Sequence, residues 1–278
     1  MSGPLAASDL DQTLVFSRRS ARADVAGLVP VEEYRGETIS WVTPRAWELL
    51  GRLVATGAFV PVTTRTSEQY ARLRWPGPAP RWAVTANGGV LLRDGVPDAA
   101  WARRVEEVLA GCAPVERARA ALVRLAADLH AAVPGSQAPA VRAVDRLFCY
   151  AVLREGQREH LEGSRLGELT ALLDGWGHTV SLQGRKLYAV PRPLTKSAAV
   201  AEVAARLGAD GFVAAGDSLL DVDLLRAARD ARRPRHGELF AAGWDGPARL
   251  TAAAGAAAGE EVAAWLLAAA TAAPERVT

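Results

Sequence analysis

A chain of 278 residues, half of them hydrophobic, can bury one large core or two smaller ones. Its formal net charge of +2 gives no reason to expect a nucleic-acid partner. Cys112 and Cys149 stand apart without metal-ligand spacing, which suits a reducing cytoplasm. Met1-Ser2-Gly3-Pro4 runs straight into an apolar segment without the basic region of a signal peptide. The Ala-rich stretch Ala252–Ala273 is broken by Glu260, Glu261 and glycines, so it reads as a soluble helix and not a membrane span.

Leu5-Ala6-Ala7-Ser8 predicts a short buried strand, and Asp9-Leu10-Asp11-Gln12-Thr13 follows it. Residues i and i+2 at a strand end point to the same side, so Asp9 and Asp11 can share one site. Open α/β sheets hold ligands beyond the carboxyl ends of their strands, and two carboxylates placed together repel unless a cation joins them. A calcium loop would need Gly at the sixth position and Glu at the twelfth. Those positions are Leu14 and Ser20, which excludes it. A glycosyltransferase metal motif and a chance pair in a turn stay open at this point.

An irregular stretch is expected to about Thr38. Thr43-Pro44 then starts a helix, with Thr as its cap and Pro in its first turn, and Gly57 ends it. Phe59–Val62 predicts a second strand ending in Thr63-Thr64-Arg65-Thr66. A helix over Glu68–Leu73 leads to a third strand, Trp82–Thr85, and the turn Ala86-Asn87-Gly88-Gly89. This β-α-β-α-β order predicts an α/β fold with a mainly parallel, Rossmann-like sheet. Two helices (Pro97–Leu109 and Pro114–Ala132), a strand-like run Val141–Leu153, a helix Gln157–Leu173 and a hairpin around Gln183-Gly184 follow. They predict an inserted α+β domain over 94–187, with the core made of 1–93 and 188–278. The alternation resumes with a helix Thr195–Leu207, a strand Gly211–Ala215, and Gly216-Asp217-Ser218-Leu219-Leu220-Asp221.

Four polar points thus fall at strand ends or helix starts: Asp9/Asp11, Thr63, Lys196 and Asp217/Asp221. Each has an ordinary explanation. Thr63 could cap the next helix, and Gly216–Asp221 could be an N-capped turn. Lys196 in a first helical turn opposes the macrodipole, and only two of the 33 Lys and Arg residues, Lys186 and Lys196, are lysines. Their joint occurrence in this order favours a site. Asp9, Asp11, Asp217 and Asp221 against Lys196 leave three negative charges unbalanced, and two like charges 4 Å apart repel by about 4 kcal/mol at an effective dielectric of 20. A divalent cation is called for. With oxygen ligands alone, Mg²⁺ is the natural one.

In this order the motifs resemble those of the haloacid dehalogenase (HAD) superfamily of phosphatases. The inserted domain, the Ala86–Gly89 turn, the approach Leu187–Pro191 and the C-terminal Gly259-Glu260-Glu261-Val262 are similar to its Cof-like and sucrose-phosphatase-like branch. Tyr34-Arg35-Gly36, Ser40-Trp41-Val42-Thr43 and the segment from Thr63 to Tyr70 also resemble an actinobacterial subgroup associated with tellurium-resistance-type gene clusters. The resemblance implies Asp9 as nucleophile, Asp11 as general acid and base, and Thr63 and Lys196 as phosphoryl ligands. It implies Mg²⁺ held by the Asp9 carboxylate, the Asp11 backbone carbonyl and Asp217, with Asp221 on a metal-bound water. Thr64, Asn87 and Gly88 are expected to bind substrate on the core side, as Arg185 and Lys186 are on the side of the inserted domain.

In the expected cap, the charged Arg142, Arg146, Arg185 and Lys186 suggest a polar substrate, a small sugar phosphate or nucleotide-like metabolite. Alternation along the hairpin groups Arg185 with Leu187 and Ala189, and Lys186 with Tyr188 and Val190, which turns Lys186 to the cleft. Three departures from the family stand out. Gln12 occupies a position that is often Gly, Thr64 replaces a Gly, and Leu220 replaces an Asn. Phosphotransferase activity, or a non-catalytic phospho-ligand sensor on the same fold, are the alternatives.

Overall fold

The computed structural model describes residues 3–272; Met1, Ser2 and Ala273, which figure in the expectations above, lie outside them. The chain divides into two compact units, Met1–Ala102 with Thr195–Thr278, and Arg103–Leu194.

The first unit begins with β1 (Leu5–Ser8), four small or apolar residues that are all buried. A one-turn helix α1 (Arg18–Ala21) precedes β2 (Val29–Tyr34) and β3 (Glu37–Val42), an antiparallel hairpin where an irregular stretch was expected. Its turn is Arg35-Gly36, both at positive φ (+53° and +79°). That geometry suits the twist of a hairpin but is usually announced by Asn-Gly or Asp-Gly. Helix α2 (Pro44–Ala55) starts where the Thr-Pro pair predicts, with the Thr43 hydroxyl accepting from the Ala46 N–H at 3.0 Å. β4 (Phe59–Pro61) and α3 (Ser67–Ala71) follow.

β5 (Trp82–Thr85) is not a further parallel strand of the main sheet. It pairs antiparallel with β6 (Val90–Arg93), which pairs with β7 (Val96–Pro97). Ala86 and Asn87, at φ +49° and +56°, reverse the chain immediately after β5. A bridge between Val62 and Val84 still holds β5 beside the continuation of β4. Helix α4 (Ala99–Leu109) then leads into the second unit.

The second unit opens with α5 (Val115–Ala132). The expected run Val141–Leu153 is two strands, β8 (Ala140–Val144) and β9 (Phe148–Val152), turned about Asp145 at φ +45°. The expected helix Gln157–Leu173 is also divided, into α6 (Gln157–Leu161) and α7 (Ser164–Asp174), because Gly163 takes φ +92°. β10 (His178–Gln183) and β11 (Lys186–Pro191) complete an antiparallel sheet of order β10-β11-β9-β8. Leu187 and Ala189 pack with Cys149, Ala151 and Leu122 in this unit's core. The opposite face carries Tyr188 against the rings of Tyr150 and Phe148.

Back in the first unit, α8 (Lys196–Leu207), β12 (Phe212–Ala215), α9 (Val222–Ala227), β13 (Ala231–Arg233), α10 (Glu238–Ala241), β14 (Ala248–Leu250) and α11 (Ala256–Thr271) follow. The main sheet is all parallel, in the order β14-β13-β12-β1-β4. Ala6, Phe59, Val213 and Ala215 share a core with Leu50 and Leu53 of α2 and Val262 and Leu266 of α11. Alternation turns Leu5, Ala7 and Ala214 to the other face, and α8 and α9 both meet β12. The first unit is thus an α/β core built on a parallel sheet, and the second is an α+β unit. No helix among the described residues is long and apolar enough to cross a membrane.

Candidate active site

Strand register brings the motifs together. Ser8 is level with Ala215 on one side and Pro61 on the other. The residues just beyond these three strand ends include Asp9, Asp217 and Thr63. The Asp9 N–H donates to the Ala215 carbonyl at 2.9 Å, and the Val62 N–H donates to the Ser8 carbonyl at 2.8 Å. Lys196 arrives from elsewhere, as the first residue of α8, after its cap Thr195.

The Lys196 ammonium donates to Asp9 Oδ1 at 2.5 Å and to Asp221 Oδ1 at 2.6 Å, and its side chain is 1% exposed. Burial works against its charge, but Asp221 and Asp9 more than offset that and keep it protonated. The ammonium has three donors, so one remains. The other oxygen of Asp221 is fully committed: Oδ2 accepts from the Asp217 N–H, the Ser218 N–H and the Ser218 hydroxyl at 2.8–3.1 Å. Gly216 makes that tuck possible, since a Cβ there would lie 2.5 Å from Asp221 Cγ.

Asp9, Asp217 and Asp221 offer carboxylate oxygens within 4.8 Å of one another, all three residues buried. Burial pushes Asp9 up to about 7, with Lys196 pulling it down and Asp221 and Asp11 adding to the rise. Asp217 is held well above the carboxylate range by burial and then by Asp9 and Asp221. Among the described residues its carboxylate receives a single 3.4 Å contact, from the Gln12 amide. Three carboxylates against one ammonium leave two charges unbalanced, and the two least committed groups, Asp9 and Asp217, are the ones forced toward protonation. An all-oxygen donor set short of two positive charges fits a hard divalent cation.

Asp11 does not join this cluster. Its carboxylate is gripped by Arg65, Nε on Oδ2 and Nη2 on Oδ1, both at 2.8 Å. The charge count from the sequence is corrected accordingly, because Asp11 has a counter-ion of its own. Arg65 is a buried residue that sequence reasoning passed over; in a chain this rich in arginine, nothing local marks it. The Thr63 hydroxyl accepts from the Arg65 N–H at 3.1 Å, and its own proton remains to donate. Thr64 is buried beside it.

The Asn87 N–H donates to the Thr63 carbonyl, and the Ala86 N–H to the Arg65 carbonyl, at 2.9 and 2.7 Å. Gly88, at φ +96°, lies against the chain at α8, where a Cβ would sit 2.2 Å from the Thr195 carbonyl oxygen. The 86–89 turn therefore braces both Thr63 and Lys196. Gln12 adopts φ +64°, which accounts for glycine being common there in the resembling family. Its carbonyl accepts from His236 Nε2 at 2.7 Å, while His236 Nδ1 accepts from the Gly255 N–H at 3.1 Å. Leu220 is buried in the 3-10 turn Leu219–Asp221. Arg185 and Lys186 belong to the other unit, where Lys186 opens β11 on the face of Tyr188 and Arg185 lies in the preceding turn.

No protein-family model matches the chain. No curated protein matches it by sequence. Solved structures do match. Sucrose-phosphatase from Synechocystis sp., in complex with sucrose and phosphate, is 19% identical with a TM-score of 0.60, over 96% of this chain and 98% of that one. A phosphatase of the HAD enzyme superfamily from Bacteroides thetaiotaomicron is 12% identical with a TM-score of 0.55, over 96% of both chains. The C-terminal domain of trehalose-6-phosphate phosphatase from C. albicans is 10% identical with a TM-score of 0.54, over 96% of this chain and 92% of that one. Over nearly its whole length, the chain has the fold of the HAD superfamily phosphatases.

Proposed function

We propose that this protein is a Mg²⁺-dependent phosphomonoesterase working through an aspartyl-phosphate on Asp9. The observation that carries the reading is the Asp9 carboxylate itself. It is buried just beyond the end of β1, hydrogen-bonded to Lys196, and grouped with Asp217 and Asp221. A carboxylate kept from water and aimed by a lysine is a poor structural choice and a good nucleophile. Asp9 and Asp217, with the Asp11 backbone carbonyl, would hold the metal, and Asp221 would act through a bound water. When bound, the ion neutralises charge on the phosphoryl group and on the carboxylates.

Asp9 attacks phosphorus in line. The bond to the leaving oxygen breaks, its electron pair stays on that oxygen, and Asp11 supplies the proton that makes it a neutral alcohol. The third donor of Lys196 and the Thr63 hydroxyl hold the transferring oxygens, where positioning and charge supply most of the rate. In the second half, water attacks the phosphoryl group while Asp11 takes back a proton, and Asp9 leaves as a carboxylate.

The substrate we infer is a small phosphorylated metabolite, a sugar phosphate or nucleotide-like ester. The solved structures named above, a sucrose-phosphatase and a trehalose-6-phosphate phosphatase, support that class. Lys186, and not Arg185, is proposed to read the leaving group. The two free cysteines support a cytoplasmic setting. The test is Asp9→Asn, which preserves shape and removes the attacking charge. Phosphate release from p-nitrophenyl phosphate should fall by at least about a thousandfold, equivalent to about 4 kcal/mol of barrier. Retained turnover in a folded variant would remove Asp9 from its role.

A further inference from the structure

The proposed mechanism uses Asp11 but not the ions around it. Asp11 stands beyond the end of β1, and its carboxylate is fixed by the Arg65 fork. Arg65 is fixed in turn. Its Nη1 donates to Glu32 Oε2 at 2.7 Å, so three of its nitrogens are committed to two carboxylates. Glu32 lies on β2, in the β2–β3 hairpin, and its side chain is 1% exposed. Its Oε2 also accepts from the Ser40 hydroxyl at 2.7 Å, and its Oε1 from Arg72 Nε at 3.1 Å.

The chain of ions runs from a buried end to an exposed one. Glu32 is buried among three donors, whereas the Asp11 side chain is 43% exposed. A planar guanidinium held on two carboxylates cannot rotate without breaking one of them. The guanidinium that grips the Asp11 carboxylate is therefore itself oriented by Glu32, outside every motif that suggested the site.

We propose that Glu32 is a positioning residue for proton transfer by Asp11, acting through Arg65. This rests on the reading of Asp11 as the acid. Asp11 enters this step carrying the proton it took from water in the preceding turnover. As phosphorus passes to Asp9 the leaving oxygen takes that proton, and the carboxylate that results is the one the Arg65 fork pairs. An interaction that strengthens as charge develops lowers the barrier, provided its donors do not have to reorganise. Glu32 removes that reorganisation. The effect is confined to esters whose leaving oxygen needs a proton.

The test compares kcat/KM for 4-nitrophenyl phosphate and cyclohexyl phosphate, since kcat/KM reports formation of the aspartyl-phosphate and 4-nitrophenolate leaves unprotonated. In Glu32→Gln the aryl-to-alkyl ratio should rise at least about tenfold over the wild type. Asp11→Asn should raise the same ratio at least as far. Ser40→Ala, which removes one bond to Glu32, should raise it about two- to fourfold, and Glu32→Asp should restore part of it. If Asp11→Asn leaves the ratio alone, the acid assignment itself fails. If Asp11→Asn raises it but Glu32→Gln lowers both esters equally, the acid stands and this inference is overturned. Should Glu32→Gln not fold, an unmoved ratio in Ser40→Ala overturns it instead.

Discussion

Replacing Lys196 by Met keeps the length of the side chain and deletes the charge that joins Asp9 to Asp221. Both bonds are short, 2.5 and 2.6 Å, and the ammonium is buried. Removing one partner of a buried ion pair typically costs about 3–5 kcal/mol, because the remaining charge is left uncompensated. For a domain of this size a kcal/mol corresponds to roughly 2–4 °C, so the melting temperature at pH 8 should fall by roughly 6–20 °C. The loss should depend on pH. Burial already pushes Asp9 up to about 7, above its value in an unfolded chain. A group of that kind binds more protons folded than unfolded, so its contribution to stability falls as pH rises from about 4 through 7. Without the ammonium the folded carboxylates become still weaker acids, and the penalty is largest above pH 7 and smallest near pH 5. Thermal unfolding followed by circular dichroism at pH 5 and pH 8, in EDTA, measures both. Equal melting temperatures for Lys196→Met and wild type at pH 8 would refute the claim that these carboxylates are charged and held by Lys196.

Activity should vanish in EDTA and return with Mg²⁺, and Mg²⁺ should raise the melting temperature more at pH 7.5 than at pH 5, where protons compete for Asp9 and Asp217. A metal-induced shift of the same size at both pH values would count against the buried carboxylates as the site. Gly88→Ala combines a left-handed backbone with a Cβ 2.2 Å from the Thr195 carbonyl oxygen, so it should destabilise by at least about 2 kcal/mol. It should also lower kcat by displacing Lys196, read by chemical denaturation and phosphate release. A neutral outcome would mean that the 86–89 turn does not brace α8.

The sequence was legible where one residue type had few reasons to be present. The apolar run ending at Asp9, the Thr-Pro helix start, the scarce Lys196 and the Gly216–Asp221 turn all lie where local pattern placed them. What escaped it depended on backbone states that the residues do not advertise. Arg35 in a left-handed turn hid the hairpin, and Asp145 at positive φ hid a break between two strands. Gly163 was visible, yet the helical spacing on both sides ran across it. Asp11 illustrates the other limit. Its spacing from Asp9 suggested a shared cation, but the decisive partner is Arg65, fifty-four residues away along the chain and brought in by the end of β4. No periodicity reports a long-range ion pair, and Glu32 is hidden for the same reason.

The central claim, that Asp9 attacks phosphorus, is tested most directly by trapping the intermediate. Wild-type protein mixed with Mg²⁺ and p-nitrophenyl phosphate, quenched in acid within milliseconds and digested, should carry a phosphoryl group on the peptide containing Asp9. That group should disappear in Asp9→Asn and accumulate in Asp11→Asn, where hydrolysis lacks its base. A phosphoryl group on any other residue, or its absence from Asp9 during a burst of p-nitrophenol in which phosphate release lags behind, would contradict the account.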